Sequence, residues 1–193
     1  MQKPNNYENT QAAGDFTPVE LGGHKLVIKQ VSEAKSKSGK DMIVVLFDFA
    51  PDDKQPNYFM DQFKNDIRPD KKWPNQATQY ILTLDEKGEC SRSFKTFTTC
   101  VEHSNAGFSI QWGDSFCKQF KDKRVGGVFG IVEEEYNGER KKKRKLRWFC
   151  SSDKAYDAPI PDDKLLTNEG FSPAPGGDFM NIPDSINEEL PFN

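Results

Sequence analysis

The feature that most constrains this chain is the dipeptide Asn137-Gly138, set between the run Val125 to Tyr136 and the basic run Glu139 to Cys150. A two-residue connection between twisted strands requires positive φ at both positions, which Asn and Gly adopt at least cost, so these runs fold back as a long β-hairpin. The turn sets the register. Tyr136 faces Glu139, Glu135 faces Arg140, Glu134 faces Lys141 and Glu133 faces Lys142. Three acids meet three bases, at about 0.2–1 kcal/mol per pair, and Lys143, Arg144, Lys145 and Arg147 are left unpaired. The same register puts Phe129 opposite Leu146, beside Ile131 and Trp148, on a face that reads as core. On the other face Val128, Gly130 and Val132 meet Arg147, Lys145 and Lys143, so cations lie over a backbone left open by glycine.

Upstream, His24 to Val31 alternates as a strand does, Ser36 to Lys40 reads as a turn, and Met42 to Phe49 is an almost unbroken apolar run ended by Pro51. Tyr58 to Phe63 reads as an extension of that unit or a further short strand, and Gln79 to Leu84 as another strand. Phe94, Phe97 and Val101 recur at helical spacing behind Ser91 or Ser93, which predicts a helix over 93–103. Phe116 and Phe120 suggest a shorter helix from Asp114.

Charge divides the chain. Residues 151–193 hold nine acids against two bases, net −7, with six of the twelve prolines and the Gly176-Gly177 pair. This segment lacks an apolar period and reads as a disordered acidic tail. Residues 1–150 carry 25 bases and 21 acids, net +4. The polar, Asn-rich residues 1–15 read as a flexible arm, which leaves 16–150 as the folded domain. No run approaches the roughly 18 apolar residues of a membrane span, and the first residues lack the order of a signal peptide. The expectation is a protein that stays in the compartment where it is made, with Cys90, Cys100, Cys117 and Cys150 as reduced thiols.

A mainly β body with a long basic hairpin and one or two helices fits an oligonucleotide-binding (OB) barrel, which tracks phosphates with cations and stacks bases on rings. The candidate cations are Lys35, Lys37 and Lys40 in the first turn and Lys143, Arg144, Lys145 and Arg147 in the hairpin. The candidate rings, those least easily assigned to a core, are Tyr58, Phe59, Trp73, Trp112 and Tyr136. Catalytic readings fare worse. Asp70, Asp85 and Lys87 match a loose metal-nuclease pattern, but an acid two residues before a lysine recurs at Glu33/Lys35, Asp52/Lys54, Glu139/Lys141 and Asp162/Lys164. Cys90, Cys100, His103 and Cys117 follow no common zinc spacing. No nucleophile elbow or phosphate-binding loop is present. The expectation is a chain with no catalytic residues, no metal and no cofactor.

The carboxyl end, Glu188-Glu189-Leu190-Pro191-Phe192-Asn193 behind a Pro/Gly-rich acidic linker, resembles the tip of bacterial and bacteriophage single-stranded DNA-binding proteins. Gly22-Gly23-His24 to Phe49, Trp73-Pro74, and Arg124-Val125-Gly126-Gly127 through Asn137-Gly138 to Trp148-Phe149 are similar to the small phage members of that group, over most of residues 16–152. The resemblance implies an OB fold, sequence-independent protection of single strands during phage replication and recombination in the bacterial host cytoplasm, and no catalysis. It also implies that Asp184, Glu188, Glu189, Leu190, Pro191 and Phe192 dock replication or recombination proteins. Asn193 departs from tips that end on Phe, displacing the terminal carboxylate from the ring. A homodimer is admitted as an oligomeric state, and a nuclease or recombination accessory enzyme acting on the same strands is the alternative function.

Overall fold

The computed structural model describes residues 1–5, 7 and 17–166. Most of the expected arm, and the tail from residue 167 with its tip Asp184, Glu188, Glu189, Leu190, Pro191 and Phe192, lie outside the described residues.

Strands β1 (Gly22–Lys35) and β2 (Asp41–Phe49) form an antiparallel pair around the turn at Gly39, where φ is 78°. The apolar run of β2 is buried from Met42 to Ala50, so both faces of this strand are covered. Strand β3 (Thr78–Leu82) continues the meander. Helix α2 (Arg92–Ser104) begins where its cap demands, with Ser91 Oγ accepting from the Phe94 N–H at 3.1 Å, and it buries Phe94, Phe97, Thr98 and Val101 along one stripe. Strands β4 (Arg124–Tyr136) and β5 (Glu139–Cys150) form the expected hairpin, with Asn137 and Gly138 at φ 52° and 78°.

The described strands make one antiparallel sheet in the order β3-β2-β1-β4-β5. Central β1 pairs with β2 along its second half and with β4 along its first. The sheet is mainly β in content, open, and edged by β3 and β5. From the 3-10 turn Asn75–Ala77 that leads into β3, Gln76 Nε2 donates to the Arg144 carbonyl of β5 at 2.9 Å. Phenylalanine rings fill the interior. Phe47, Phe49, Phe59 and Phe129 pack with centroids 4.9–6.5 Å apart, and Phe97 joins them to α2 by meeting Phe149 at 5.0 Å.

Four expectations need correction. Residues 58–63 are not a strand, because they belong to helix α1 (Tyr58–Asn65). Its N-cap residue, Asn57, makes no side-chain capping bond; Asp48 on β2 caps the helix instead, accepting from the Phe59 N–H at 2.9 Å and the Met60 N–H at 3.3 Å. A cap supplied from another element leaves no local trace. The segment from Asp114 is a series of turns ending in the short 3-10 helix Lys118–Phe120, although Phe116 and Phe120 are buried. A helix this short does not recover its nucleation cost.

The hairpin keeps its expected register from Tyr136/Glu139 to Phe129/Leu146, then shifts at a bulge so that Val128 pairs with Trp148 and Arg147 has no opposite. One extra residue reverses the faces beyond it. Phe149 is therefore buried, while Trp148 is 40% exposed.

Finally, residues 151–166 are not tail. They run back over the hairpin as a strap, through the short 3-10 helix Ser152–Lys154. A Cβ on Gly23 would lie 1.5 Å from the Ala155 carbonyl oxygen, and one on Gly130 would lie 2.4 Å from Pro161. These glycines leave room for the strap rather than an open backbone. The Tyr156 hydroxyl reaches Asp53 at 3.2 Å, and Lys164 exchanges two backbone bonds with β4 at Ile131 and Glu133.

Candidate nucleic-acid interface

Past Phe129 the β4–β5 pair leaves the sheet and becomes a two-stranded arm. Register assigns its faces. Tyr136, Lys141, Lys143, Lys145 and, beyond the bulge, Trp148 fall on one face, whereas Arg140, Lys142 and Arg144 fall on the other with Leu146. The first face thus carries three lysines between two exposed rings, Tyr136 at 76% and Trp148 at 40%. Trp148 and Lys141 were missed by sequence reasoning, since an uninterrupted register turns Trp148 inward and gives Lys141 to Glu134. No sequence signal locates the bulge.

The cations expected to stand unpaired are engaged. Glu134 holds Lys143 Nζ at 3.1 Å and also contacts Lys145 Nζ. The twist of a two-stranded ribbon turns the carboxylate from its direct opposite, Lys141, toward residues further along β5. Burial pushes the Glu134 carboxyl up, but the lysine hydrogen bonds outweigh it, and the group lies below the ordinary glutamate range. Lys142 pairs with Asp163 of the strap at 3.1 Å, and Arg140 with Glu135 at 3.5 Å. Arg144 donates to the Val19 carbonyl, and Arg147 to the carbonyls of Ile131 at 3.3 Å and Asp162 at 2.9 Å. These two guanidinium groups tie strands to the strap and the β1 entry.

Magnitudes separate the two sets. Exposed lysine–carboxylate pairs are worth about 0–1 kcal/mol, so a phosphate can displace Glu134 from Lys143 and Lys145 at little cost. Arginines that satisfy backbone carbonyls are not released so cheaply, since hydrogen bonds to charged groups contribute about 1.5–3 kcal/mol.

In the first turn, Lys35 pairs with Asp41 at 2.7 Å, while Lys37 and Lys40 sit exposed on the loop that the Ser36 hydroxyl organises through the Lys40 N–H. Of the candidate rings, Phe59 is fully buried among Phe47, Phe49 and Phe129, and Trp73 is buried against Phe63 with its indole N–H on the Ala77 carbonyl at 3.2 Å. Both are core, and neither offers a face to a base. Tyr58 is half-buried, its hydroxyl donating to the Thr17 carbonyl at 2.8 Å and pushed up to about 12 by burial. Trp112 is 71% exposed and stacks on Phe116, far along β1 from the arm, where the neighbouring charges are acidic.

Among the described residues, no three His, Cys, Asp or Glu side chains are placed to hold a metal ion. Asp85 accepts from the Lys87 and Glu89 N–H groups in its own turn. Cys150 is pushed up to about 11, by burial first and by Cys100 and Asp153 beside it. No described helix is long and apolar enough to cross a membrane. No protein-family model matches the chain, and no curated protein matches it significantly.

Proposed function

We propose that this chain binds single-stranded DNA without sequence preference, as an OB-type protein of bacteriophage replication and recombination acting in the host cytoplasm, and that it is not a catalyst. The observation that carries this reading is the row Lys143, Lys145, Trp148 on one face of an arm projecting from the sheet. Cations track phosphates and an exposed ring stacks a base, with no hydrogen-bond readout to impose sequence. Strand order supports the fold assignment. An OB barrel is a five-stranded, partly open Greek-key barrel that binds through its β2–β3 face and its β1–β2 and β4–β5 loops. Here β1 pairs with both β2 and β4, the Gln76–Arg144 bond ties the turn before β3 to β5, and Lys37 and Lys40 occupy the β1–β2 loop. In this reading the acidic tip from Asp184 to Phe192 recruits replication or recombination proteins.

The test is retention of a labelled oligothymidylate over a salt series, with and without Mg²⁺ or Mn²⁺. Lys143→Ala with Lys145→Ala should weaken binding and reduce the log K against log salt slope by about 1.4, at about 0.7 per phosphate. Trp148→Ala should cost about 1–3 kcal/mol of binding and leave the slope unchanged. Unaltered affinity in both variants would refute the arm as the site, and metal-dependent cleavage of the strand would favour the nuclease alternative. Tail truncations must stop after Leu166, because a cut at residue 150 also removes the strap.

A further inference from the structure

The end of β4 opposite the arm carries a second concentration of positive charge. Residues 117–124 hold Lys118, Lys121, Lys123 and Arg124 against the single acid Asp122. Two backbone bonds join this segment to β1 beside Lys29: the Ile28 N–H donates to the Lys123 carbonyl at 2.9 Å, and the Asp122 N–H to the Ile28 carbonyl at 2.8 Å. Lys118 and Lys121 are one 3-10 turn apart, with the Lys121 N–H on the Lys118 carbonyl at 3.4 Å, so their exposed side chains leave the same side of the turn. Lys123 lies over the Phe108 ring at 4.7 Å. Among the described residues no carboxylate pairs with Lys29, Lys118, Lys121 or Lys123, whereas Arg124 is held, with Lys25, by Asp52. Four lysines without a counter-charge repel one another, and their summed field draws a polyanion. Beyond Cys117 the surface turns acidic, with Glu33, Asp41 and Asp114 around one groove, so the patch ends there.

Register carries one face of the sheet from the arm to the edge of this patch. Gly130 pairs with Lys145 and Gly126 with Lys25, and residues 124, 126, 128 and 130 share a side of β4, the side away from the core rings. The six residues from Gly130 back to Arg124 span about 20 Å. Along that span the strap lies on the sheet and presents Tyr156, 48% exposed, with Lys25 Nζ over its ring at 5.2 Å. The two acids at its hydroxyl end are engaged, Asp52 by Lys25 and Arg124, and Asp53 by His24. We propose that Lys29, Lys118, Lys121 and Lys123 hold phosphates of the same single strand that the arm holds, so that one strand runs from Lys143 and Lys145 past Trp148 and Tyr156 to the far end of β4. This rests on the arm as the primary site and lengthens the footprint of one copy to both ends of that strand. Lysines spaced along a face meet the recurring charge of a nucleic-acid backbone without reading its bases.

Oligothymidylates of about 5 and about 15 nucleotides, near the ends of the range that an OB-type fold covers, separate the two sites on the full chain. Lys118→Gln with Lys121→Gln removes two exposed, unpaired charges, so the melting temperature should not move. This variant should bind the longer strand about tenfold more weakly at low salt, lower its log K against log salt slope by about 1.4, and bind the shorter strand as the wild type does. Lys143→Ala with Lys145→Ala should weaken both lengths. If the patch variant matches the wild type on the longer strand in affinity and slope, the patch is a solvated surface and the proposal fails while the arm reading stands. Loss of the shorter strand as well would overturn it, because the patch would then belong to the primary site. So would two of the longer strands bound per copy at saturation, since the patch would then hold a second strand. Should the arm variant keep full affinity at both lengths, the arm reading itself fails, and the continuation from it falls too.

Discussion

Helix α1 and the β4–β5 arm are opposite solutions to holding a segment in place. The arm rests on local causes: two turn residues at positive φ and a ladder of neighbouring strand residues. Helix α1 rests on distant ones. Its cap comes from Asp48, its apolar side enters a ring cluster built by β2 and β4, and its own sequence, rich in Tyr and Phe, has moderate strand preference. Local causes can be read along a chain, whereas causes that arrive from another element cannot. The difference also predicts where each region is vulnerable.

The largest effect should come from Asp48→Ala. Burial first pushes the Asp48 carboxyl up, and the N–H groups of Phe59, Phe49 and Met60 pull against it. Removing the side chain strands these donors in a buried site, which should cost about 3 kcal/mol or more. Urea unfolding measures the loss, and hydrogen exchange should show it concentrated in residues 58–65 with the arm spared. A loss below about 0.5 kcal/mol would mean that the helix caps itself, and the contrast with the arm would collapse.

Gly23→Ala should rank next. The new methyl would sit on the Ala155 carbonyl, a backbone atom that cannot rotate aside, so overpacking of about 1–3 kcal/mol is expected and the strap should lift from β1. Faster proteolysis within 151–166 would report it. If the strap stays protected, it is held chiefly by Tyr156 and Lys164 rather than by its glycine floor.

This division explains what the sequence made legible. The hairpin, its register as far as Phe129/Leu146, the Ser91 cap and the stripe of α2 follow from neighbours within a few residues. The bulge at Arg147 does not, and it alone carried Trp148 from the expected core to the surface. Phe59 and Trp73 were misplaced for a related reason, because their burial depends on an excursion between β2 and β3 with no periodic pattern of its own. The strap was obscured by composition, since prolines and acids that suggest a tail also suit an extended segment laid over glycines.

The smallest effect concerns Glu134, and it bears on how available the arm is to an anion. Its folded carboxyl lies below the ordinary range, so the group stabilises the arm fully above its unfolded value near 4.3, and that contribution fades as pH falls through the lower folded value. Two partly exposed lysines limit the gain to no more than about 1 kcal/mol. The stability difference between wild type and Glu134→Gln should therefore be small and level near neutrality, and should shrink below about pH 4. Taking the difference matters because Asp48 and Asp52 shift in opposite directions over the same range. Glu134→Gln should also release Lys143 and Lys145, tightening oligothymidylate binding by up to about fivefold at low salt. A difference that stays level or grows in acid would mean that Glu134 is not held ionised by those lysines. Weaker DNA binding in the variant would mean that the carboxylate positions the lysines for phosphate instead of competing with it.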